Sequence, residues 1–239
     1  MQLPFFYIEN FDASAKTVIL DEDTSRHMIS VLRMKEEEQI NLTDGKGSLI
    51  TSEIINANKK HCEVKIVDLR FTSEPARKIS IAISLIKNTN RFEWFLEKAT
   101  EIGVSEIIPL ICERTEKQKF RYDRMKGICI SAMLQSQQTW LPILHEPIQF
   151  SKMTADKYLD SKRLIAHCIE GNKQSISDLQ IDKLTNCQIS IGPEGDFTKE
   201  EIDLALRKNF IPVTLGETRL RTETAGVVAA ALLTLSKIF

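Results

Sequence analysis

Beyond residue 78, short apolar runs alternate with stretches whose apolar residues recur at helical spacing. Ile79 to Ile86 is a nearly continuous apolar run, which is typical of a strand buried on both faces of a sheet. Arg91 to Ile102 carries apolar residues three and four positions apart and is followed by Gly103, a pattern that predicts a helix with a glycine C-cap. Repeated strand-helix alternation predicts an α/β fold with a largely parallel sheet covered by helices.

The alternation continues to the end of the chain. Thr198-Lys199-Glu200-Glu201 has the pattern of a capping box and predicts the start of a helix. The predicted strands cover residues 107–111, 164–166, 188–191 and 212–215, and the predicted helices cover residues 123–138, 198–207 and the stretch from about Thr222.

The first 72 residues have a different pattern, in which polar and apolar residues alternate. The predicted strands at residues 39–42 and 48–55 flank a tight turn at Asp44-Gly45, and a third strand is predicted at residues 61–67. One helical turn is expected over residues 25–32, with Thr24 or Ser25 as its N-cap. We therefore predict two domains: a small β-barrel or sandwich over residues 1–72 and an α/β domain over residues 73–239.

Composition excludes several classes of protein. The five cysteines are widely spaced without a C-x-x-C pair, so we expect neither a disulfide framework nor a metal site. The net charge is −1, which provides no general attraction for nucleic acid. The apolar stretch from Ala225 to Leu235 is too short to cross a bilayer, and the first residues lack a basic targeting pattern. A cytoplasmic protein without a membrane partner is the expectation.

Two glycine-bearing segments each follow a predicted strand and precede a predicted helix. The first is Ile191-Gly192-Pro193-Glu194-Gly195, and the second runs from Leu215-Gly216 through Arg219 to Ala225. In an open α/β sheet, ligands bind beyond the C-terminal ends of the strands, and glycines allow close approach of the backbone. Each segment also suits a tight structural connection with surface charge, so composition leaves both interpretations open. No Rossmann, P-loop or hydrolase motif is present.

Taken together, these segments resemble a signature of the SPOUT-class rRNA methyltransferases that make N3-methyluridine in 16S rRNA. The resemblance lies in I-G-P-E-G at 191–195, L-G at 215–216 and L-R-T-E-T-A at 220–225. It extends to K-A-T-E-I-G-V at 98–104 and to H-M-I-S-V-L-R at 27–33. The matches span nearly the whole chain in the same order as in the family.

The resemblance implies a trefoil-knotted SPOUT domain at residues 73–239 and a PUA-like barrel at residues 1–72 that docks RNA. It also implies S-adenosyl-L-methionine as cofactor, a homodimer, and 16S rRNA within the small ribosomal subunit as partner. The residues expected to bind the cofactor are Ile191, Gly192, Pro193, Gly195, Leu215, Gly216, Leu220, Thr224 and Ala225. Asp196 departs from the family, which usually has glycine there, and so do Leu134 and Gln138, which replace charged residues.

Arg221 and Glu223 are the expected catalytic residues. Arg221 is expected to stabilise the uracil anion that forms when N3 loses its proton. Glu223 is expected either to accept a proton or, as the preferred role, to orient Arg221. RNA contacts are expected from Arg26, Arg33 and Lys35, and from Arg114 in the basic stretch at 113–126. Residues 1–72 carry nine basic and twelve acidic residues, so recognition of an assembled particle by shape is expected.

Three alternatives remain open at this level. A second hypothesis keeps the fold and changes the target to another rRNA position or to a ribose 2′-oxygen. The chain could also be a non-catalytic RNA-binding factor in ribosome assembly. An unrelated α/β nucleotide-binding enzyme is disfavoured by the missing phosphate-binding motifs.

Overall fold

The computed structural model describes residues 3–116, 119–154, 161–179 and 185–235. The chain divides into two compact units, each with its own sheet. The first unit comprises the residues up to Glu74 together with Met133–Leu141, and the second comprises Pro75–Ala132 together with the residues from Pro142 onward.

The first unit contains a five-stranded sheet in the order β1-β3-β4-β5-β2. Its core consists of the inward-facing residues of these strands, such as Ile40, Leu42, Ile50 and Val64, all with 0% exposure, which is the period-two burial expected of half-buried strands. The elements are β1 (Phe5–Tyr7), β2 (Thr17–Ile19), α1 (Glu22–Arg26), a π-helical turn (His27–Val31), β3 (Gln39–Thr43), β4 (Ser48–Asn56) and β5 (Glu63–Phe71).

Residues 133–141 join this unit through a close contact at Gly47. The Trp140 indole Nε1 donates a hydrogen bond to the Thr72 carbonyl at 2.9 Å. Gly47 has φ +101, and a Cβ there would lie 2.6 Å from the Thr72 carbonyl oxygen and 2.8 Å from the Trp140 ring. Only glycine combines this backbone angle with this close approach.

The second unit contains an eight-stranded sheet in which all described pairings are parallel. Its order is β11-β13-β10-β12-β6-β7-β8, with β9 also paired to β7. The strands are β6 (Ile79–Ser84), β7 (Glu106–Ile111), β8 (Ile143–Leu144), β9 (Ile148–Gln149), β10 (Ser161–Ala166), β11 (Gln174–Ser175), β12 (Asn186–Ile191) and β13 (Ile211–Thr214).

Helices cover this sheet, and the C-terminal helix packs most closely. The helices are α2 (Thr89–Ile102), α3 (Tyr122–Gln135, in this unit up to Ala132), α4 (Phe150–Met153), α5 (Lys199–Arg207) and α6 (Thr222–Leu235). At Gly226 of α6, a Cβ would lie 2.6 Å from the Phe95 ring of α2 and 2.8 Å from Ile83 of β6. The missing side chain therefore allows α6 to approach both neighbours directly.

Most sequence-based predictions of elements are confirmed. β6 is buried at every position, Gly103 ends α2 in the left-handed conformation, and Thr198 forms the predicted capping box of α5. The predicted turn over 25–32 is helical, but its start and its N-cap are wrong: α1 begins at Glu22 with Asp21 as N-cap, and a π-helical turn follows. The Asp21 carboxylate accepts from the Thr24 backbone N–H at 2.9 Å, which explains the earlier start.

The short strands β1, β2, β8, β9 and β11 were not predicted, because two or three residues carry too little periodicity to be recognised. Within the part of the chain that the structure describes, none of the helices combines the length and apolarity needed to cross a bilayer. The described residues also contain no group of three or more His, Cys, Asp or Glu arranged to hold a metal ion.

Candidate active site

A cavity of about 750 Å³ lies in the second unit, beyond the C-terminal ends of three adjacent parallel strands. β10, β12 and β13 end at Ala166, Ile191 and Thr214, and the residues that follow each strand form the cavity wall. Parallel strands end at one edge of a sheet, so three chain segments that are distant in sequence meet there. The volume falls within the range of roughly 300–1,000 Å³ that small-molecule and cofactor sites occupy.

The turn after β12 favours glycine at its first position. A Cβ on Gly192 would lie 3.0 Å from the Phe197 ring and 3.1 Å from the Phe197 backbone nitrogen. Phe197 is fully buried and packs against Phe150 with ring centroids 4.8 Å apart. Because the ring is packed in the core, a side chain at residue 192 would force the ring or the turn to shift.

The turn after β13 is held by a single threonine. The Thr214 hydroxyl donates to the Gly216 carbonyl at 2.8 Å. Gly216 has φ +139, and nothing lies within 4 Å of the position that its Cβ would take. Glycine is needed here for the backbone angle, and Gly216 itself lines the cavity.

The two glycine-bearing turns are joined to each other by a buried hydrogen bond. Thr222, the first residue of α6, donates from its hydroxyl to the Gly192 carbonyl at 3.0 Å. Thr222 is 5% exposed. The bond therefore links the start of α6 directly to the turn after β12 within one wall.

Asp196 connects a third segment to these turns. Its carboxylate accepts from the Cys168 backbone N–H at 2.8 Å and from the Phe197 backbone N–H at 2.9 Å. Asp196 has φ 64, a left-handed angle that glycine adopts freely and aspartate adopts at a modest cost. The carboxylate that replaces the family's usual glycine thus ties the segment after β10 to the turn after β12.

Two charged side chains meet at the cavity wall where α2 and α6 begin. Glu223 lies in the first turn of α6, and its side chain is 8% exposed. Arg91 lies near the start of α2, and its Nε is 3.7 Å from Glu223 Oε1. Both residues line the cavity together with Arg221, which is exposed.

His167 adds a polar atom that has no hydrogen-bond partner. Its Nδ1 is buried and unpartnered among the described residues, while the Lys173 ammonium donates to the His167 carbonyl at 3.0 Å. Burial, with a smaller contribution from the charge of Lys173, lowers the pKa of His167 below its usual value. The ring is therefore neutral at pH 7 and offers the cavity wall an unused hydrogen-bonding atom.

Most of the residues predicted from the sequence lie in this wall. Gly195 and Thr224 are exceptions, since neither lines the cavity, and Gly195 instead accepts from Arg114 Nη1 at 2.7 Å. The predicted residues that do line it are Ile191, Gly192, Pro193, Leu215, Gly216, Leu220, Arg221, Glu223 and Ala225.

Four residues of the wall were not predicted from the sequence: Arg91, His167, Cys168 and Lys173. Arg91 follows Asn88, the N-cap of α2, and reads as a surface residue of a helix start. Isolated histidines and lysines in loops carry no pattern that separates a ligand contact from a solvated side chain. The sheet order, which places β10 between β12 and β13, brings His167, Cys168 and Lys173 to the cavity.

The three RNA-binding candidates of the first unit lie close together in sequence after β2. Arg26 forms ion pairs with Glu22 and Asp23 in α1. Arg33 adopts a left-handed backbone angle of φ 58 and is exposed. Lys35 is also exposed, and its backbone N–H donates to the Glu38 carboxylate at 3.1 Å. Their positive charges lie at the surface of this unit.

Two family models match the chain. The RNA methyltransferase domain matches residues 72–234, and the RNA methyltransferase PUA domain matches residues 20–67. The chain belongs to this family of RNA methyltransferases. The match confirms the predicted α/β fold of the SPOUT class with an N-terminal PUA-like domain.

Similar proteins of known name include ribosomal RNA small subunit methyltransferase E of Rickettsia conorii, which is 29% identical over 94% of this chain and 92% of its own length. The protein of the same name from Mesomycoplasma hyopneumoniae is 30% identical over 87% of this chain and 90% of its own length.

Two solved structures are similar over their whole length. A probable rRNA methyltransferase from Porphyromonas gingivalis has a TM-score of 0.89 and 37% identity, with 97% of each chain covered. Ribosomal RNA small subunit methyltransferase E from Neisseria gonorrhoeae, bound to S-adenosyl methionine, has a TM-score of 0.87 and 29% identity, covering 100% of this chain and 98% of that one.

Proposed function

We propose that the protein transfers a methyl group from S-adenosylmethionine to N3 of a specific uridine in 16S rRNA. The observation that carries this proposal is the cavity beyond β10, β12 and β13, whose wall unites both glycine-bearing turns of the predicted signature. The relatives named as small-subunit rRNA methyltransferases, one of them with this cofactor bound, support the same reaction.

The cavity suits S-adenosylmethionine in size and in the chemistry of its wall. Its volume of about 750 Å³ accommodates a nucleoside joined to an amino acid. Backbone groups of the two turns line it, and His167 Nδ1 is a buried polar atom with no hydrogen-bond partner among the residues that the structure describes. Residues 191–193, 215–216, 220 and 225 would hold the cofactor mainly through main-chain atoms, and Gly195 and Thr224 would support those turns from behind.

When bound, S-adenosylmethionine supplies an electrophilic methyl group whose bond to the sulfonium sulfur breaks as the base nitrogen bonds to it. The chain itself then has to place an unstacked uridine beside that group and manage the proton on N3. Arg221 is exposed at the rim of the cavity, where its guanidinium can stabilise negative charge on the uracil ring.

The first unit is proposed to dock the ribosomal particle. Arg26, Arg33 and Lys35 supply surface charge there, while the net charge of residues 1–72 stays negative, so shape contributes more than a general electrostatic attraction. Arg114 is proposed as an additional RNA contact. We also propose a domain boundary at residues 72 and 73, a homodimer, and a cytoplasmic location, which is where ribosomal subunits are assembled.

Nucleoside mass spectrometry of 16S rRNA, from cells with and without this protein, tests the proposal. The expected result is one N3-methyluridine that disappears when the gene is deleted and returns when the chain is supplied. Another methylated base or a 2′-O-methylated ribose would place the reaction elsewhere. Unchanged rRNA, combined with no heat of binding for S-adenosylmethionine in calorimetry, would indicate a non-catalytic assembly factor.

A further inference from the structure

Glu223 is the acidic side chain most deeply placed in the cavity wall. The side chain is 8% exposed, yet the residue lines the cavity. Burying a carboxylate is costly unless a positive group balances its charge. A carboxylate at this position therefore needs a positively charged partner.

The partner is Arg91 from α2. Its Nε lies 3.7 Å from Glu223 Oε1, and no other ion pair of Glu223 occurs among residues 3–116, 119–154, 161–179 and 185–235. Arg221 is two residues away in sequence, but it is exposed and makes no ion pair with Glu223 in the described parts of the chain. The sequence-based expectation that Glu223 orients Arg221 therefore has no contact in the structure to support it.

Helix packing brings the backbones of the two partners near each other. Gly226 of α6 lies directly against Phe95 of α2, so closely that a Cβ would approach the ring to 2.6 Å. Arg91 lies one helical turn before Phe95, and Glu223 lies three residues before Gly226. Close packing of the two helices therefore places the backbones of Arg91 and Glu223 near each other, and the partly exposed Arg91 side chain spans the remaining distance.

We propose that Glu223 accepts the proton from N3 of the target uracil and that Arg91 is the positioning residue that holds Glu223 for this step. This rests on the proposed function. The N3–H bond breaks, the proton goes to a Glu223 carboxylate oxygen, and the electron pair stays on nitrogen for its bond to the methyl group. Arg91 balances the charge of Glu223 in the wall and fixes its orientation, while Arg221 remains available for the oxygens of the base.

The test measures methyl transfer to small ribosomal subunits from cells that lack this protein. Glu223→Gln is expected to lower kcat by roughly 100-fold or more, since a general base contributes about 10²- to 10⁴-fold. Arg91→Ala is expected to lower kcat at least about tenfold, and Arg91→Lys to restore part of the loss. Arg207→Ala is the control, because it removes an exposed positive charge from the end of α5, away from the cavity.

Two further readouts separate positioning from a structural role. Calorimetric Kd values for S-adenosylmethionine should stay within about twofold of wild type in every variant, and thermal unfolding should show all of them folded at the assay temperature. The double variant should be no slower than Glu223→Gln alone, because residues that act through each other show non-additive effects.

Wild-type kcat in Arg91→Ala or in Glu223→Gln would overturn the proposal. A double variant with a lower kcat than Glu223→Gln alone would also overturn it. So would a variant in which the cofactor Kd rises and kcat stays unchanged. If the wild-type protein itself transfers no methyl group to the subunits, the proposed function fails, and the inference fails with it. That outcome is distinct from an active wild type with indifferent variants, which would contradict only the roles of Arg91 and Glu223.

Discussion

Replacing Thr222 by valine tests the hydrogen bond that joins the two glycine-bearing turns. Valine keeps the shape of threonine but removes the hydroxyl that donates to the Gly192 carbonyl at 3.0 Å. Because Thr222 is 5% exposed, water does not readily replace the lost donor. Leaving a buried carbonyl without a partner costs about 1–3 kcal/mol of unfolding free energy.

Part of that cost should appear in cofactor affinity, because the Gly192 carbonyl belongs to a turn that lines the cavity. A loss of about 1 kcal/mol in binding corresponds to a roughly fivefold rise in Kd. Urea unfolding with and without S-adenosylmethionine gives the stability difference, and calorimetry gives the Kd.

Thr222→Ser is the matched control. It keeps the hydroxyl and removes one methyl group, so it should bind the cofactor with nearly wild-type affinity and lose about 1 kcal/mol of stability at most. Equal stability and equal cofactor Kd for Thr222→Val and wild type would refute the argument that this bond holds the two turns together.

Three further perturbations follow from the same wall and its supporting helices. Gly226→Ala forces a methyl group to 2.6 Å from Phe95. Although alanine is the better helix former, we expect chemical denaturation to show that overpacking lowers the unfolding free energy by about 1–3 kcal/mol, and unchanged stability would contradict this packing. Asp196→Ala removes both hydrogen bonds that the carboxylate accepts from backbone N–H groups, including the one from Cys168, and should raise the calorimetric Kd for the cofactor. Asp196→Asn keeps an acceptor and tolerates the backbone angle, so equal Kd values for the two variants would argue against a role for these hydrogen bonds. Burial lowers the pKa of His167 in the folded state, so the unfolded chain binds more protons below about pH 6.5, and stability should fall as the pH drops through that value. His167→Gln should flatten this part of the plot of urea midpoint against pH, and an identical slope in the variant would exclude His167 as its source.

Periodicity and turn residues were sufficient to predict the elements that carry long patterns. Every position of β6 is buried, α5 begins at its capping box and α2 ends at Gly103, because these features depend on neighbours within a few residues. The start of the first helix was misplaced because Asp21 competes with Thr24 and Ser25 as N-cap, and all three polar side chains satisfy the same local rule.

The residues of the candidate site also divide into those that could be predicted from the sequence and those that could not. Gly192 and Gly216 could be recognised in advance, since a glycine between a strand and a helix has a limited number of structural reasons to be there. Arg91 could not, because its partner Glu223 lies on another helix. Likewise Asp196 stands out as a departure from the family, but its hydrogen bond to Cys168, 28 residues away, has no local signal.

By itself, the sequence determined the alternation of strands and helices, the positions of the two glycine-bearing turns and the resemblance to a methyltransferase family, all of which are encoded by residues close together in the chain. Only the tertiary structure decided that β10 lies between β12 and β13, that Thr222 bonds to Gly192 and that Arg91 pairs with Glu223. The physical reason is that burial of the apolar sheet and close packing of its helices bring together segments that lie far apart in the chain. Short-range sequence patterns do not indicate which of these distant segments come into contact.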